Sequence, residues 1–549
     1  MLESVDRTGR GQRVLAYHEH SKHQPQRLAP GPGRLDWANQ PDPFRIYEGA
    51  SRIVLPQVGD ALTASFDDLY RSAGCVSVAP LGLFSVAALL ELSLGLSAWK
   101  VHGESRWALR CNPSSGNLHP TEGYVVLPTL AAADQGMAAG VYHYVSRDHV
   151  LEQRRVLGAD ERQAWDGLFP PGQFLFGLTS IHWREAWKYG DRAYRYCQLD
   201  VGHAVAAVRY AAALLGWRVR VLFAPATRDV ARLLGVAALG VHFGVGDDAE
   251  PEHADLLLQV APLDFPLAEM GPKVAALVEL AGQGPWVGKP NRLSRRHGVE
   301  WPLVDAVAEA TRQPWHSDSL VQPSDCLPDL PASRFGAMRA ASLIRQRRSA
   351  QGFDAGAVLE RADFWRILDA TLPRSGQAPW DLWPQVSRLF FVLMVHRVQG
   401  VEAGLYLLAR DLDSVAELRG VLDAHFLWAP VSGCPDHIPL FLLRAGDYQE
   451  RAYWISCQQE IAADGVLTLG MLARFPAELV RAPWLYRHLF WEAGMVGQTL
   501  YLEAEAAGVR GTGIGCFMDD VFHQLLGLRS TDFQSLYHFT MGRPIEPSL

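Results

Sequence analysis

The sequence predicts an α+β fold that occurs twice in tandem, the two copies packed as an internal pseudo-dimer. Three observations carry this. Tyr194-Arg195 and Tyr486-Arg487 stand 292 residues apart, as do Gly202 and Gly494, Gly216 and Gly508, and Leu233-Leu234-Gly235 and Leu525-Leu526-Gly527; Asp200 meets Glu492 at the same offset. A gapless offset over more than 40 residues implies two related folds. Each copy carries a long apolar stretch at that place, about 197–215 and 484–507, which predicts a core helix. Upstream, Gly140-Val141-Tyr142 matches Gly404-Leu405-Tyr406 at an offset of 264, so the loops between differ in length, as surface loops do. Two copies in one chain pack most simply about a pseudo-twofold axis.

Taken in order, residues 1–50 read as a polar, Pro-, Gly- and His-rich lead-in segment. Its Tyr17-His18-Glu19-His20-Ser21-Lys22-His23 run has no companion ligand cluster, so it reads as solvated rather than as a metal site. A first α+β domain spans 51–263, a linker with a short helix near 302–312 spans 264–333, and a second α+β domain spans 334–549. Residues 78–99 are almost wholly apolar and nearly long enough to cross a bilayer, but Pro80 opens the run and Glu91 interrupts it, which predicts a buried core helix. The chain has 549 residues, 48% hydrophobic and 20% charged, with a net charge of −8. That balance excludes the basic face of a nucleic-acid binder. Seven cysteines without a Cys-x-x-Cys pair fit a reducing cytosol, and the first residues, Met1 to Asp6, predict no signal peptide and hence a cytoplasmic location.

Four stretches carry candidate chemistry. The loop Asn112-Pro113-Ser114-Ser115-Gly116-Asn117-Leu118-His119-Pro120-Thr121-Glu122 lies between a predicted helix ending near Lys100 and a predicted strand at Tyr124-Val125-Val126-Leu127. Its prolines and glycine fix its shape, and its hydroxyls and amide suit either a ligand or a polar turn. Arg347-Arg348-Ser349 suits a phosphate, through bidentate guanidinium bonds and a hydroxyl, or a charged helix end. Gly511-Thr512-Gly513-Ile514-Gly515 has alternate glycines that let backbone approach a flat ligand. Arg543, after a predicted strand from Tyr537 to Met541, is a further phosphate candidate. Lys188-Tyr189 suits a proton-transfer pair, since a close ammonium favours phenolate, or a snorkelling Lys beside a packing Tyr.

Together these stretches resemble the nitroreductase-like flavoproteins, specifically the SagB-type or thiazole/oxazole-oxidase branch, over about 40–263 and 334–549. The resemblance rests on Arg110 followed by Pro113-Ser114-Ser115-Gly116-Asn117, on Trp187-Lys188-Tyr189-Gly190, on Tyr194-Arg195-Tyr196 with Gly202-His203, and on Arg347-Arg348-Ser349 and Gly513-Ile514-Gly515. It implies two tandem nitroreductase-like domains, each a mixed, mostly antiparallel sheet flanked by helices. It further implies FMN at the domain interface, with Arg347, Arg348, Ser349 and Arg543 on the phosphate. Pro113, Ser114, Ser115, Gly116, Asn117, Gly513, Ile514 and Gly515 would lie around the ring and ribityl chain, and Lys188 and Tyr189 would be catalytic, Tyr189 removing a proton. The implied substrate is a thiazoline or oxazoline in a modified peptide, with a cyclodehydratase as the usual partner of such enzymes. A nicotinamide-dependent reductase of nitro or quinone compounds and a non-catalytic binding protein are the alternatives.

Compared at the repeat offsets, the copies differ in a complementary way. Residues 113–117 fall on Gln377-Ala378-Pro379-Trp380-Asp381 and Lys188-Tyr189 on Val480-Arg481, whereas Gly511, Gly513 and Gly515 fall on Val219, Val221 and Phe223. The expectation is one FMN site per chain, built across the interface, with its symmetry mate degenerate.

Overall fold

The computed structural model describes residues 2–71, 75–103, 105–130, 136–236, 250–316, 327–383, 385–410, 412–475 and 478–545. Each half is built on a seven-stranded sheet. In the first, the spatial order is Arg52–Val54, Val150–Val156, Gly140–Val145, Thr121–Leu127, Phe174–Ser180, His253–Pro262 and Trp217–Leu222. In the second it is Ala429–Pro430, Leu440–Ala445, Gly404–Ala409, Leu389–Val395, Leu467–Arg474, Phe533–Gly542 and Arg510–Ile514. Six strands of the two orders correspond one for one, the edge strands Arg52–Val54 and Ala429–Pro430 coming from different places in the chain, and every neighbouring pair in both sheets runs antiparallel. The central strands are buried on both faces, which is why they read as short unbroken apolar runs.

The two long helices, Ala193–Ala213 and Leu485–Ala506, are buried along their whole length and form the pseudo-twofold interface. A Cβ on Gly202 would lie 2.2 Å from the carbonyl oxygen of Trp491, and a Cβ on Gly494 would lie 2.2 Å from that of Leu199. Leu199 and Trp491 are themselves 292 apart, so the same contact is made twice, once from each side. Only glycine permits backbones to approach this closely.

Four sequence expectations need correction. The apolar stretch 78–99 is helical only at Leu83–Ser93; the chain then enters a hairpin of Leu96–His102 with Ser105–Arg110, because alternating side chains after Gly95 suit a strand. No helix among the described residues is long and apolar enough to cross a membrane. The lead-in is not a solvated segment. Leu2–His20 is a helix whose Val14, Tyr17 and His18 are buried at i, i+3 and i+4, with Ser21, just past its end, buried at i+7. It docks on the short helix Glu478–Arg481 and on Pro302–Ala310, with the Tyr17 hydroxyl donating to the Asp191 carbonyl at 2.6 Å. Nor is 264–333 a free linker: Gly271–Ala281 buries Val274, Leu277 and Val278 in the outer core of the first half, and Lys289–Pro290 pairs with Tyr47–Glu48. Finally, Leu127 pairs with Gly140 as Val395 pairs with Gly404, so the offset of 264 at the glycines becomes 268 at the preceding strand, Thr121–Leu127 against Leu389–Val395. That places Asp381-Leu382-Trp383, not 377–379, opposite Pro113-Ser114-Ser115.

Candidate functional site

A cavity of about 660 Å³ opens between the two halves. The first half supplies the loop Asn112–Asn117 with His119, the hairpin residues Trp99, Lys100 and Trp107, and Tyr189, Tyr196, Asp200 and His203. The second supplies Arg347–Gln351, Tyr501, Arg510, Thr512–Cys516 and Tyr537.

The loop is rigid because its polar groups bind one another and the first long helix. Gly116, Asn117 and His119 all have left-handed backbone angles, φ 59°, 59° and 51°. Such conformations persist only where surroundings impose them. Here Asn117 Nδ2 donates to the Ala108 carbonyl at 2.8 Å, the His119 amide donates to Ser114 Oγ at 2.8 Å, and the Ser115 amide donates to Asp200 Oδ1 at 3.2 Å. The Asn117 amide therefore holds the loop itself rather than standing free.

On the facing wall, Arg347 is buried, and its Nε and Nη2 donate to the carbonyls of Cys111 and Arg110 at 3.2 and 3.0 Å. This arginine from the second half thus clamps the root of the loop from the first. Nη1 makes no hydrogen bond among the described residues. Arg348 is occupied, donating to the carbonyls of Arg345 and Arg347 and to Ser97 Oγ, and so fixes the hairpin to the helix end. Ser349 Oγ and the Gly513 amide both meet the Tyr501 hydroxyl at 2.8 Å. Ile514 turns its side chain into the core of the second half, leaving Gly513 and Gly515 toward the cavity. Their missing side chains admit aromatic rings: a Cβ on Gly513 would collide with the Tyr537 hydroxyl and one on Gly515 with the Tyr196 ring. Arg543 lies apart from the cavity. It leaves the last strand into solvent and pairs with Asp354 at 3.7 Å. Arg510 and Lys100, which sequence reasoning passed over, supply cationic lining instead.

Lys188 and Tyr189 end the helix His182–Tyr189 beside the loop; a Cβ on Gly116 would stand 2.5 Å from the Tyr189 hydroxyl and 2.9 Å from Lys188 Nζ. The ammonium sits 5.2 Å from the Tyr189 ring centroid. It does not make the phenol acidic. Burial above all, and then the nearby Glu185, hold the Tyr189 phenol well above its ordinary range. Asp200 behaves oppositely to an exposed carboxylate: burial pushes it up to about 7, against the lowering pull of hydrogen bonds from Ser114 and Ser115. Glu185 is likewise raised, by burial and then by Asp200. His203 is lowered to about 3 by burial and Arg347, and its Nε2 meets the Tyr537 hydroxyl at 3.1 Å.

The pseudo-twofold mate of this cavity is filled. Phe223, the counterpart of Gly515, packs its ring 5.0 Å from Trp383 and 4.7 Å from His488, the counterpart of Tyr196. Gln313 closes the space, donating to the carbonyls of Phe223 and, at 3.1 Å, Pro225, while its Oε1 meets His488 Nε2 at 3.1 Å. The counterpart of Asp200, Glu492, is paired with Arg410 and accepts from Ser387 Oγ at 2.6 Å.

The family model described as "Nitroreductase family" matches residues 96–247 and 475–543, which include the cavity loop, the Lys-Tyr pair, both long helices and the glycine segment. Both halves contain nitroreductase-family sequence. A putative nitroreductase structure from Anabaena variabilis ATCC 29413 shares the whole tandem nitroreductase fold: 21% identity, 97% of this chain and 99% of that one, TM-score 0.67. The trifolitoxin-processing protein TfxB of Rhizobium leguminosarum bv. trifolii is 36% identical over 112 residues, 19% of this chain. The match spans 29% of TfxB, so it relates one segment of this chain to that protein.

Proposed function

We propose that the chain is an FMN-dependent oxidoreductase of the SagB type, which dehydrogenates thiazoline or oxazoline rings of a modified peptide to thiazole or oxazole. The observation that carries this reading is the cavity of about 660 Å³ whose walls come from complementary halves of the tandem, both halves carrying segments that match the nitroreductase family. Its lining suits FMN. Buried polar atoms without partners, among them Arg110 Nε, Asn112 Oδ1 and Asp200 Oδ2, await a polar ligand. Arg347, Arg510 and Lys100 are cations for a phosphate, joined by Ser349. Tyr196, Tyr501 and Tyr537 offer flat walls to a ring, and the volume falls within the ~300–1,000 Å³ of cofactor sites. The segment shared with a trifolitoxin-processing protein favours a peptide substrate, and a cyclodehydratase partner would supply the azoline.

Bound FMN would supply the hydride acceptor. Aromatisation also removes a proton from ring carbon. Tyr189 keeps its own proton and is suited to donate a hydrogen bond that orients the substrate, with Lys188 holding its ring. Asp200, balanced near neutrality, is suited to accept the proton. The base is thereby moved from Tyr189 to Asp200.

Purified protein should contain one FMN per chain, and Arg347→Ala should lose it. Azoline peptide should be oxidised, while FMN-loaded Tyr189→Phe and Asp200→Asn should be slowed by roughly 10²-fold or more. Two FMN per chain would refute the composite site. Rapid flavin reduction by NADPH with no turnover of azolines would replace the oxidase by a reductase.

A further inference from the structure

Cys516 ends the glycine segment on the cavity wall, and its sulfur lies 2.7 Å from that of Cys457, closer than unbonded sulfurs settle. The approach is built from both sides. The helix Gln449–Ile455 is followed by two successive left-handed non-glycine residues, Cys457 and Gln458, φ 53° and 61°, at the point where the Cys457 sulfur meets Cys516. Such angles are costly for residues with a Cβ and mark an imposed geometry. Met518 donates its amide to the Ile455 carbonyl at 2.7 Å, and Gln459 Nε2 donates to the Cys516 carbonyl at 3.2 Å, so the two backbones are tied together. Arg192 holds the Gly515 carbonyl at 3.0 Å. His23, from the docked lead-in, bridges to Met518 and stands against Cys516. Neither cysteine is fully buried.

We propose that Cys457 and Cys516 form a reversible dithiol–disulfide couple in the cavity wall, which exchanges with small-molecule disulfides of the glutathione class. Cys516 is the attacking sulfur. The Cys457 thiol, then His23 and Arg192, draw its ionisation down, against the opposing effect of burial, and a thiolate is the nucleophile in such exchange. The Cys516 thiolate displaces one glutathione thiolate and forms a mixed disulfide. Cys457 then loses its proton, attacks Cys516 and displaces the second glutathione. The two cysteines lose two electrons and two protons; one glutathione disulfide becomes two thiols. When oxidised, the couple adds a covalent tether to the hydrogen bonds that already join the loop after Ile455 to the end of the Gly513–Gly515 wall.

The test uses the full-length Cys75→Ser chain, which removes an exposed thiol, and does not depend on any flavin being bound. After exposure to oxidised glutathione, intact mass should fall by two hydrogens, and peptide mapping should join Cys457 to Cys516; reduced glutathione should reverse both. Cys457→Ser should accumulate glutathione on Cys516. Cys516→Ser should leave Cys457 unmodified over the same interval. The proposal is overturned if the native chain forms no 457–516 bond under these conditions, if the bond forms only after denaturation, or if glutathione accumulates on Cys457 instead of Cys516.

Discussion

Two places related by the pseudo-twofold axis began as the same site and now differ in almost every residue that matters. At one, Gly515 leaves room for Tyr196, and Asp200 stands without a cationic partner among the described residues, its ion-pairing capacity unspent. At the other, Phe223 fills the position of Gly515, His488 and Trp383 pack on it, Gln313 seals the gap, and Arg410 neutralises Glu492. The difference teaches that a duplicated interface is free to spend one copy on stability. Aromatic packing and a closed ion pair fill one copy, whereas the other keeps an open cavity lined by polar groups.

The comparison can be broken most severely at the axis itself. Gly202→Val would put side-chain carbon against the Trp491 backbone, which belongs to a helix that cannot yield. We expect a loss exceeding ~5 kcal/mol, a large share of a domain's stability, seen as loss of soluble protein. The filled site comes next. Phe223→Ala should cost about 3–5 kcal/mol by denaturant unfolding, and should not create a second cofactor site, since Trp383, His488 and Gln313 still occupy the space around it. An added equivalent of bound FMN in that variant would show that Phe223 alone keeps the mate closed.

The smallest effect is on pH dependence. Asp200 has its folded pKa raised to about 7 from 3.8, so the folded state binds the extra proton. Its stabilising contribution is present below pH 3.8 and is lost as pH rises through about 7. Unfolding curves of Asp200→Asn should show a shallower decline of stability over that window than the native chain. An unchanged slope would mean that Asp200 is ionised throughout and is no candidate base.

Much of this was legible in the chain. The offset of 292 located both long helices and the glycines at their crossing, because a helix interface tolerates no insertion without losing register. The loop 112–117, Arg347 and the glycine segment were legible as polar or flexible residue types with no reason to occur in a plain core. The N-terminal helix was missed because its mean polarity masks a buried stripe at Val14, Tyr17, His18 and Ser21, a 3.6-residue period that a composition reading ignores.

What the sequence determined by itself is therefore the duplicated α+β fold and which stretches of each copy line the shared cavity: local periodicity and residue type are enough for both. Only the tertiary structure decided the chemistry of individual groups. Arg348 and Asn117 are spent on backbone, Arg543 leaves for solvent, and Arg510 and Lys100 come to the cavity, because the folded surroundings of each side chain, and not its residue type, settle where it points. The ammonium beside Tyr189 suggested an acidic phenol, yet burial outweighs a neighbouring charge and holds the phenol above its ordinary range, while it brings Asp200 up to about 7; the proposed base is therefore Asp200.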